Sequence, residues 1–190
     1  MLENVKKDIR RYMLTDNETP GIRGVFDLVL FNYSLWVILS YRFGVWVREH
    51  CRVPLVRQVL KLATRISHNL LGLLTGIQIP FEAQIGPGLY IGHTGMLVLN
   101  SNTIIGENCN IGIGVIIGYG GRGDRSGCPR IGNNVFIGVG AKVIGNITVG
   151  DKAAIGANAV VTSDIPANAT AVGVPARVVN YRGSDDFVKV

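Results

Sequence analysis

His93 is the residue whose type and placing could do acid–base chemistry in this chain of 190 residues. It is the only His after residue 75, and it stands two places after Ile91, followed by Thr94 and Gly95. A neutral imidazole, with a reference pKa of about 6.5, can take a proton from a hydroxyl at neutral pH. A lone His is more often a satisfied polar side chain than a base, and that reading stays open. Two irregular stretches follow it: Leu99-Asn100-Ser101-Asn102, and a run from Gly118 to Arg130 with five Gly, one Pro and three Arg. Arg122, Arg125 and Arg130 could bind an anion, or could simply keep an exposed loop solvated. Gly120-Gly121-Arg122-Gly123 is followed by neither a Lys-Ser pair nor a helix, so it is no phosphate-binding loop of the Walker type. The three Cys show neither a disulfide framework nor a zinc-ligand spacing, and no metal site is expected. Cys128, beside Pro129, lacks a His and an acid to complete a thiol nucleophile.

The element that must carry His93 is a repeat. Branched aliphatics recur every six residues at Ile79, Ile85, Ile91 and Leu97, at Ile105, Ile111 and Ile117, then from Ile131 through Ile137, Val143, Val149 and Ile155 to Val161. Gly follows most of them, and a second apolar position falls four residues on, at Leu89, Cys109, Val115, Val135 and Ala141 among others. This period fits neither a lone helix nor an alternating strand. It fits short strands joined at corners, three sides making a coil of about 18 residues, with stacked coils burying an aliphatic core. The register breaks twice. Leu97 to Ile105 spans eight residues, which places a two-residue bulge at 99–102, near His93. Ile117 to Ile131 spans fourteen, so the Gly-rich run is expected to leave the coil as a flexible loop, a usual carrier of function.

The remainder divides at residues 75–76. Residues 1–75 read as a helical cap or oligomerisation segment, 76–180 as the coiled domain, and 181–190 as an acidic, mobile tail. Leu2, Val5, Ile9 and Met13 lie at helical spacing, and Thr15 to Gly21 break that helix. The apolar run Val25–Val47 has Leu28–Tyr41 as its longest uncharged piece, fourteen residues. A spanning helix needs about 20, so this run is expected to be buried against neighbours rather than to cross a membrane. After Pro54 a helix runs to about Leu74 with Leu55, Val59, Leu62, Ile66, Leu70 and Leu73 on one face, ended by Gly76. The net charge of +6 sits in the first part, where eleven Lys/Arg face six Asp/Glu, against eight and seven after residue 75. No nucleic-acid motif accompanies it. The composition suits a reducing, cytoplasmic setting, and Trp36, Trp46 and nearby Arg residues leave room for peripheral contact with the inner membrane surface.

The hexads, the context of His93, the loop ending Cys128-Pro129-Arg130-Ile131-Gly132 and the finish Ala171-Val172-Gly173-Val174-Pro175-Ala176-Arg177-Val178 resemble the serine acetyltransferase branch of the left-handed β-helix acyltransferases. The N-terminal KDI…FNYSLWVILSYRF resembles that branch's short helical region. The resemblance implies an α+β chain, an N-terminal helical segment followed by a left-handed parallel β-helix. It implies a homotrimer with active sites between neighbouring coils, and a dimer of trimers through the helices is a further expectation. Acetyl-CoA is the implied donor, with no metal. His93 matches the catalytic His. Gly118, Tyr119 and Gly120, with Ala141 and Ala157, match positions that hold the cofactor or polarise its thioester, and Arg122 is a candidate for its phosphates.

Departures from the branch fall around the acceptor. An acid precedes the catalytic His there and is Gly92 here; the acid fifteen residues before it is Gln78, whose carbonyl could still orient the imidazole. Glu82 is a nearby substitute acid. Asn100-Ser101-Asn102 replaces Gly-Glu-Thr, and Gly127-Cys128 replaces Arg-His. With Arg125, these residues (Gly92, Glu82, Asn100 and Cys128) are the candidate acceptor contacts. The pattern is similar to the exopolysaccharide O-acetyltransferases of the colanic-acid type. The expected acceptor is therefore a sugar hydroxyl of a glycan precursor, with serine, for cysteine synthesis, as the alternative.

Overall fold

The computed structural model describes residues 1–15 and 22–190. Four helices, α1 (Leu2–Thr15), α2 (Ile22–Phe31), α3 (Tyr33–His50) and α4 (Pro54–Thr75), precede fifteen short strands. The turn expected over Thr15–Gly21 falls, from residue 16 on, outside the described residues. The apolar run Val25–Val47 is two helices rather than one. Asn32 caps α3 by accepting the Leu35 amide at 2.9 Å, and the chain bends there by 79°. Asn favours such caps because its side chain replaces a missing backbone partner. Among the described residues no single helix is long and apolar enough to cross a membrane.

The strands fall into three sheets visited in turn. The first holds β1 (Ile77–Gln78), β4 (Leu97–Leu99), β7 (Ile116–Gly118), β10 (Lys142–Ile144) and β13 (Val160–Val161). The second holds β2 (Gln84–Ile85), β5 (Ile104–Ile105), β8 (Arg130–Ile131) and β11 (Thr148–Val149). The third holds β3 (Tyr90–Ile91), β6 (Asn110–Ile111), β9 (Phe136–Ile137), β12 (Ala154–Ile155), β14 (Thr170–Val172) and β15 (Arg177–Asn180). Each strand from β1 to β9 pairs in parallel with the strand three places on, which makes a three-sided coil. Only β15 turns back antiparallel, onto β14. The inward columns Ile85–Ile105–Ile131–Val149 and Ile91–Ile111–Ile137–Ile155 are buried, as hexad periodicity requires.

The first register break lies elsewhere than expected. Val98 pairs with Ile116 and Leu99 with Ile117, 18 residues apart, whereas Ile77 pairs with Leu97, 20 apart. Leu99, not Leu97, therefore occupies the hexad position, and the two extra residues fall between Ile91 and Leu99. The bulge is the His93 corner itself, and the 99–102 turn has ordinary length.

The cap is clamped to the coil by buried polar groups. Asp8, fully buried, accepts the Gly88 and Leu89 amides at 2.7 and 3.0 Å. Arg42 donates to Asp8 at 2.8 Å and to the carbonyls of Ile85 and Gly86, both at 2.6 Å. An ion pair this dry persists only when its remaining donors and acceptors are satisfied, and here backbone groups of the first coil do so. The tail is docked rather than mobile. Phe187 stacks on Phe136 at 4.4 Å, its carbonyl accepts Asn110 Nδ2 at 2.8 Å, and Ser184 and Val188 are buried.

Candidate active site

His93 sits on the edge between the third and first sheets, just after β3. Tyr12 of α1 fixes that strand: its buried hydroxyl donates to the Ile91 carbonyl and accepts the Ile91 amide, each at 3.1 Å. Burial holds the Tyr12 phenol far above its ordinary pKa, so it stays a neutral hydroxyl. From the other side, the Gly95 amide donates to Thr75 O at 2.8 Å and the Leu97 amide to Gly76 O at 3.0 Å. Gly76 and Gly95 have φ of +74° and +143°, a region that favours glycine. A Cβ on Gly95 would stand 2.3 Å from Ile113 Cδ1, so a side chain there would have to take up a positive φ and also push the end of Ile113 aside. The imidazole is exposed and forms no hydrogen bond or ion pair with any described residue. The pairings of β3, β6, β9 and β12 put Ile113, Val139 and Ala157 in file beneath His93, with Val139 and Ala157 exposed. A solvent-facing base thus heads a shelf of aliphatic side chains.

The Gly-rich run leaves from the other edge of the first sheet, after β7. It is an ordered hairpin rather than a flexible loop. Gly120 and Gly127 exchange two backbone hydrogen bonds at 3.0 Å, a 3₁₀ turn spans Gly123–Arg125, and Tyr119 Oη pairs with Ser126 Oγ. Arg125 O accepts the Asn146 amide at 3.0 Å, which pins the hairpin to the next coil. Asn100 lies on this same edge, and its Oδ1 accepts the Asn102 amide at 3.0 Å and the Cys128 thiol at 3.2 Å. Burial raises the Cys128 pKa, which keeps it a thiol.

The expected site residues therefore divide. His93, Gly92 and Ala157 share one edge of the first sheet. Gly118, Tyr119, Gly120, Arg122, Arg125, Asn100 and Cys128 share the opposite one, so within one chain the hairpin and His93 stand apart. Ala141 belongs to neither. Its side chain is buried in the core and its amide already donates to Gly138 O at 3.2 Å, so it has no group to offer a ligand. The Gly120 amide is likewise engaged in the hairpin bridge.

Gln78 and Glu82 meet at a third place, a cleft of about 740 Å³ between α3, α4 and the first coil, which His93 does not line. Arg48 donates to Glu82 at 2.7 Å there, and the arginines hold its carboxyl below the usual range despite opposing desolvation. Gln78 forms no hydrogen bond with His93, so among the described residues the imidazole has no partner for its second nitrogen. The cleft is backed by His68, which gave no sequence signal. His68 Nε2 donates to Ile79 O at 2.8 Å, Nδ1 then accepts from Ser40 Oγ at 3.1 Å, and the ring packs on Phe81. Among the described residues no group of His, Cys, Asp and Glu could hold a metal ion.

Comparison with known proteins gives this arrangement a family. A model of the bacterial transferase hexapeptide (six repeats) matches residues 128–163. A serine acetyltransferase of Helicobacter pylori J99 is 36% identical over 162 residues, covering 85% of this chain and 90% of its own. That of Synechococcus elongatus is 34% identical over 164 residues; the match covers 86% of this chain but only 64% of that longer protein. Serine acetyltransferase from Brucella abortus superimposes with a TM-score of 0.76 at 30% identity, over 96% of this chain and 69% of that one. The same enzyme in complex with coenzyme A gives 0.75 at 30% identity, over 95% and 68%. At 36% identity over 85% of this chain and 90% of the Helicobacter enzyme, the chain belongs to the serine acetyltransferase family of hexapeptide-repeat acyltransferases.

Proposed function

We propose that the chain transfers acetyl from acetyl-CoA to a hydroxyl, with His93 as general base and L-serine as the acceptor that its relatives favour. The observation that carries this is the widened first-coil corner, which presents one unpartnered imidazole at the head of an apolar shelf. The pantetheine arm of the donor lies along Ile113, Val139 and Ala157, bringing the thioester to the ring. His93 removes the hydroxyl proton as the oxygen attacks the carbonyl carbon. The C–S bond of the tetrahedral intermediate then breaks, and the thiolate takes the proton back from the imidazolium. Backbone N–H groups at a coil edge are the natural oxyanion donors. No covalent enzyme intermediate is required.

The hairpin edge of the first sheet completes the site when it belongs to a neighbouring copy, in a trimer of left-handed coils. Arg122 and Arg125 would then face the CoA phosphates, and Cys128 and Asn100 would wall the acceptor. A second reading, a sugar hydroxyl as acceptor, has one observation in its favour. Gly92, Ile113, Val139 and Ala157 put no carboxylate on the His93 edge to hold the ammonium of serine, and a neutral sugar needs none.

Thiol release from acetyl-CoA, measured with L-serine beside nucleotide sugars and oligosaccharides, tests both. Serine is expected to turn over, and His93→Ala to lower kcat by about 10²-fold or more. Turnover with a sugar but not serine would transfer the assignment to the second reading. Unaltered turnover in His93→Ala would remove the mechanism altogether.

A further inference from the structure

The cleft between α3, α4 and the first coil is lined without His93 or the hairpin, and acyl transfer gives it no work. It encloses about 740 Å³ where the helical cap meets the coil, a size and place usual for small-molecule sites. Leu73, Pro80 and Phe81 give it an apolar wall. Phe81 keeps its place because residue 44, within α3, is glycine: a Cβ there would stand 2.2 Å from Phe81 Cε1 and displace the ring. The ring also packs on His68, whose two nitrogens are engaged, so the wall is held from both helices.

Charge in the cleft is unbalanced. The α4 helix has no Asp or Glu, and its Arg57, Lys61 and Arg65 follow one another at intervals of four residues. Like charges so spaced repel along a helix face. Arg57 is occupied by the Arg48 carbonyl, to which it donates at 2.8 Å, and Arg48 in turn donates to Glu82 at 2.7 Å. Lys61 and Arg65 form no hydrogen bond or ion pair with any described residue. Among the charged residues lining the cleft, three cations therefore meet one carboxylate, an excess of two positive charges. A monocarboxylate offsets half of that. A phosphate ester carries about −1.5 to −2 at pH 7 and accepts from Arg and Lys together. An inorganic ion would leave the apolar wall and most of the volume unused, so the phosphate needs an organic body.

We infer that this cleft binds a nucleotide, with its phosphates among Arg48, Lys61 and Arg65 and its base along Phe81, Pro80 and Leu73. The inference goes beyond the acyl-transfer reading and uses it at one step, the filling of the donor site with CoA before titration. The test is calorimetric titration of the CoA-saturated full chain with ADP and with UDP. At least one of them is expected to bind at one equivalent per chain. The free nucleosides should give no heat, and inorganic pyrophosphate should bind at least about tenfold more weakly than the nucleotide. Lys61→Gln/Arg65→Gln should weaken binding at least about tenfold. Asn69→Trp, which fills the cleft from an exposed position of α4, should abolish it. All three positions are exposed, so helical circular dichroism should be kept. Arg10→Gln, an exposed cation of α1 that does not line the cleft, should bind as wild type. Bound nucleotide should slow amide exchange in α4 and over residues 77–82, and leave the hairpin unaltered. No binding of either nucleotide, equal affinity in the double variant, or equal loss in Arg10→Gln would each overturn the inference. So would dodecanoate binding that Asn69→Trp abolishes where neither nucleotide binds, since the occupant would then be a lipid carboxylate. Nucleotide binding that vanishes once CoA is present would assign the heat to the donor site, overturning the inference while leaving acyl transfer standing. A chain that takes no CoA would sink the donor assignment instead, and the same variants, titrated without CoA, would still decide the cleft.

Discussion

Two imidazoles of this chain show how environment assigns work. His68 is buried between α3, α4 and the first coil, with both nitrogens engaged, and desolvation lowers its pKa from the ordinary 6.5. The folded protein thus prefers its neutral form. Below about pH 6.5 the unfolded chain binds a proton that the folded chain resists, so stability is full above that pH and declines as pH falls towards the folded pKa. Urea unfolding at pH 7.5 and 5.5 is expected to show this loss, bounded by about 1.4 kcal/mol per pH unit for one proton. His68→Gln, whose amide can donate to Ile79 O and whose carbonyl can accept from Ser40, should flatten the dependence. An equal slope in both proteins would refute the assignment. His93 was legible because its neighbours in the repeat are aliphatic, so an imidazole there stands out. His68 was not, since Ser67 and Asn69 beside it read as an ordinary polar helix face and its partner Ser40 lies 28 residues away.

At the scale of elements, the hexads were legible because each inward aliphatic is demanded by the core of the coil. The place of the first irregularity was not. Leu97 and Leu99 are both buried, at alternate positions of one strand, so either satisfies a search for the next aliphatic. Strand pairing decides for Leu99 and moves the two extra residues to the corner that carries His93. A regular corner in the later coils carries Ile113, Val139 or Ala157 flat on the coil edge; the longer one leaves room for α4 to enter through Gly76 and for the imidazole to stand clear. Deleting Thr94 and Gly95 restores the regular period. The coil should still form, because every inward aliphatic remains, with a cooperative melt and unchanged strand content. Turnover should fall about 10²-fold or more, since displacements of about 1 Å at a reacting group have that effect. Turnover within threefold of wild type would show the bulge to be a tolerated insertion.

For the whole molecule, the question is what holds the helical cap to the coil, and the C-terminal segment supplies part of the answer. Its acidic residues, Asp185 and Asp186, suggest a solvated end, and nothing in the hexad pattern reaches that far. Yet Lys152 pairs with Asp185 at 3.2 Å, the Ser184 amide donates to Lys152 O at 3.0 Å, and Ser184 Oγ donates to Asn134 O. Asn110 ties this segment to the cap, since its Oδ1 accepts Arg11 Nη2 while its Nδ2 donates to Phe187 O. Residues far apart in sequence thus hold α1 on the third sheet, and α1 carries the Tyr12 that fixes the strand before His93. Removing residues 184–190 uncovers the Phe136 ring and takes away the acceptor of Asn110. Burial of Val188 alone is worth about 1.5–3 kcal/mol, so the truncated chain should unfold at correspondingly lower urea concentration. Hydrogen exchange should accelerate in α1 and at the Ile91 amide ahead of the later coils, because these lose their brace while β8 to β13 keep their pairing. Uniform exchange across the chain, or no change in the urea midpoint, would mean that the tail merely rests on the surface and that the cap holds the His93 strand unaided.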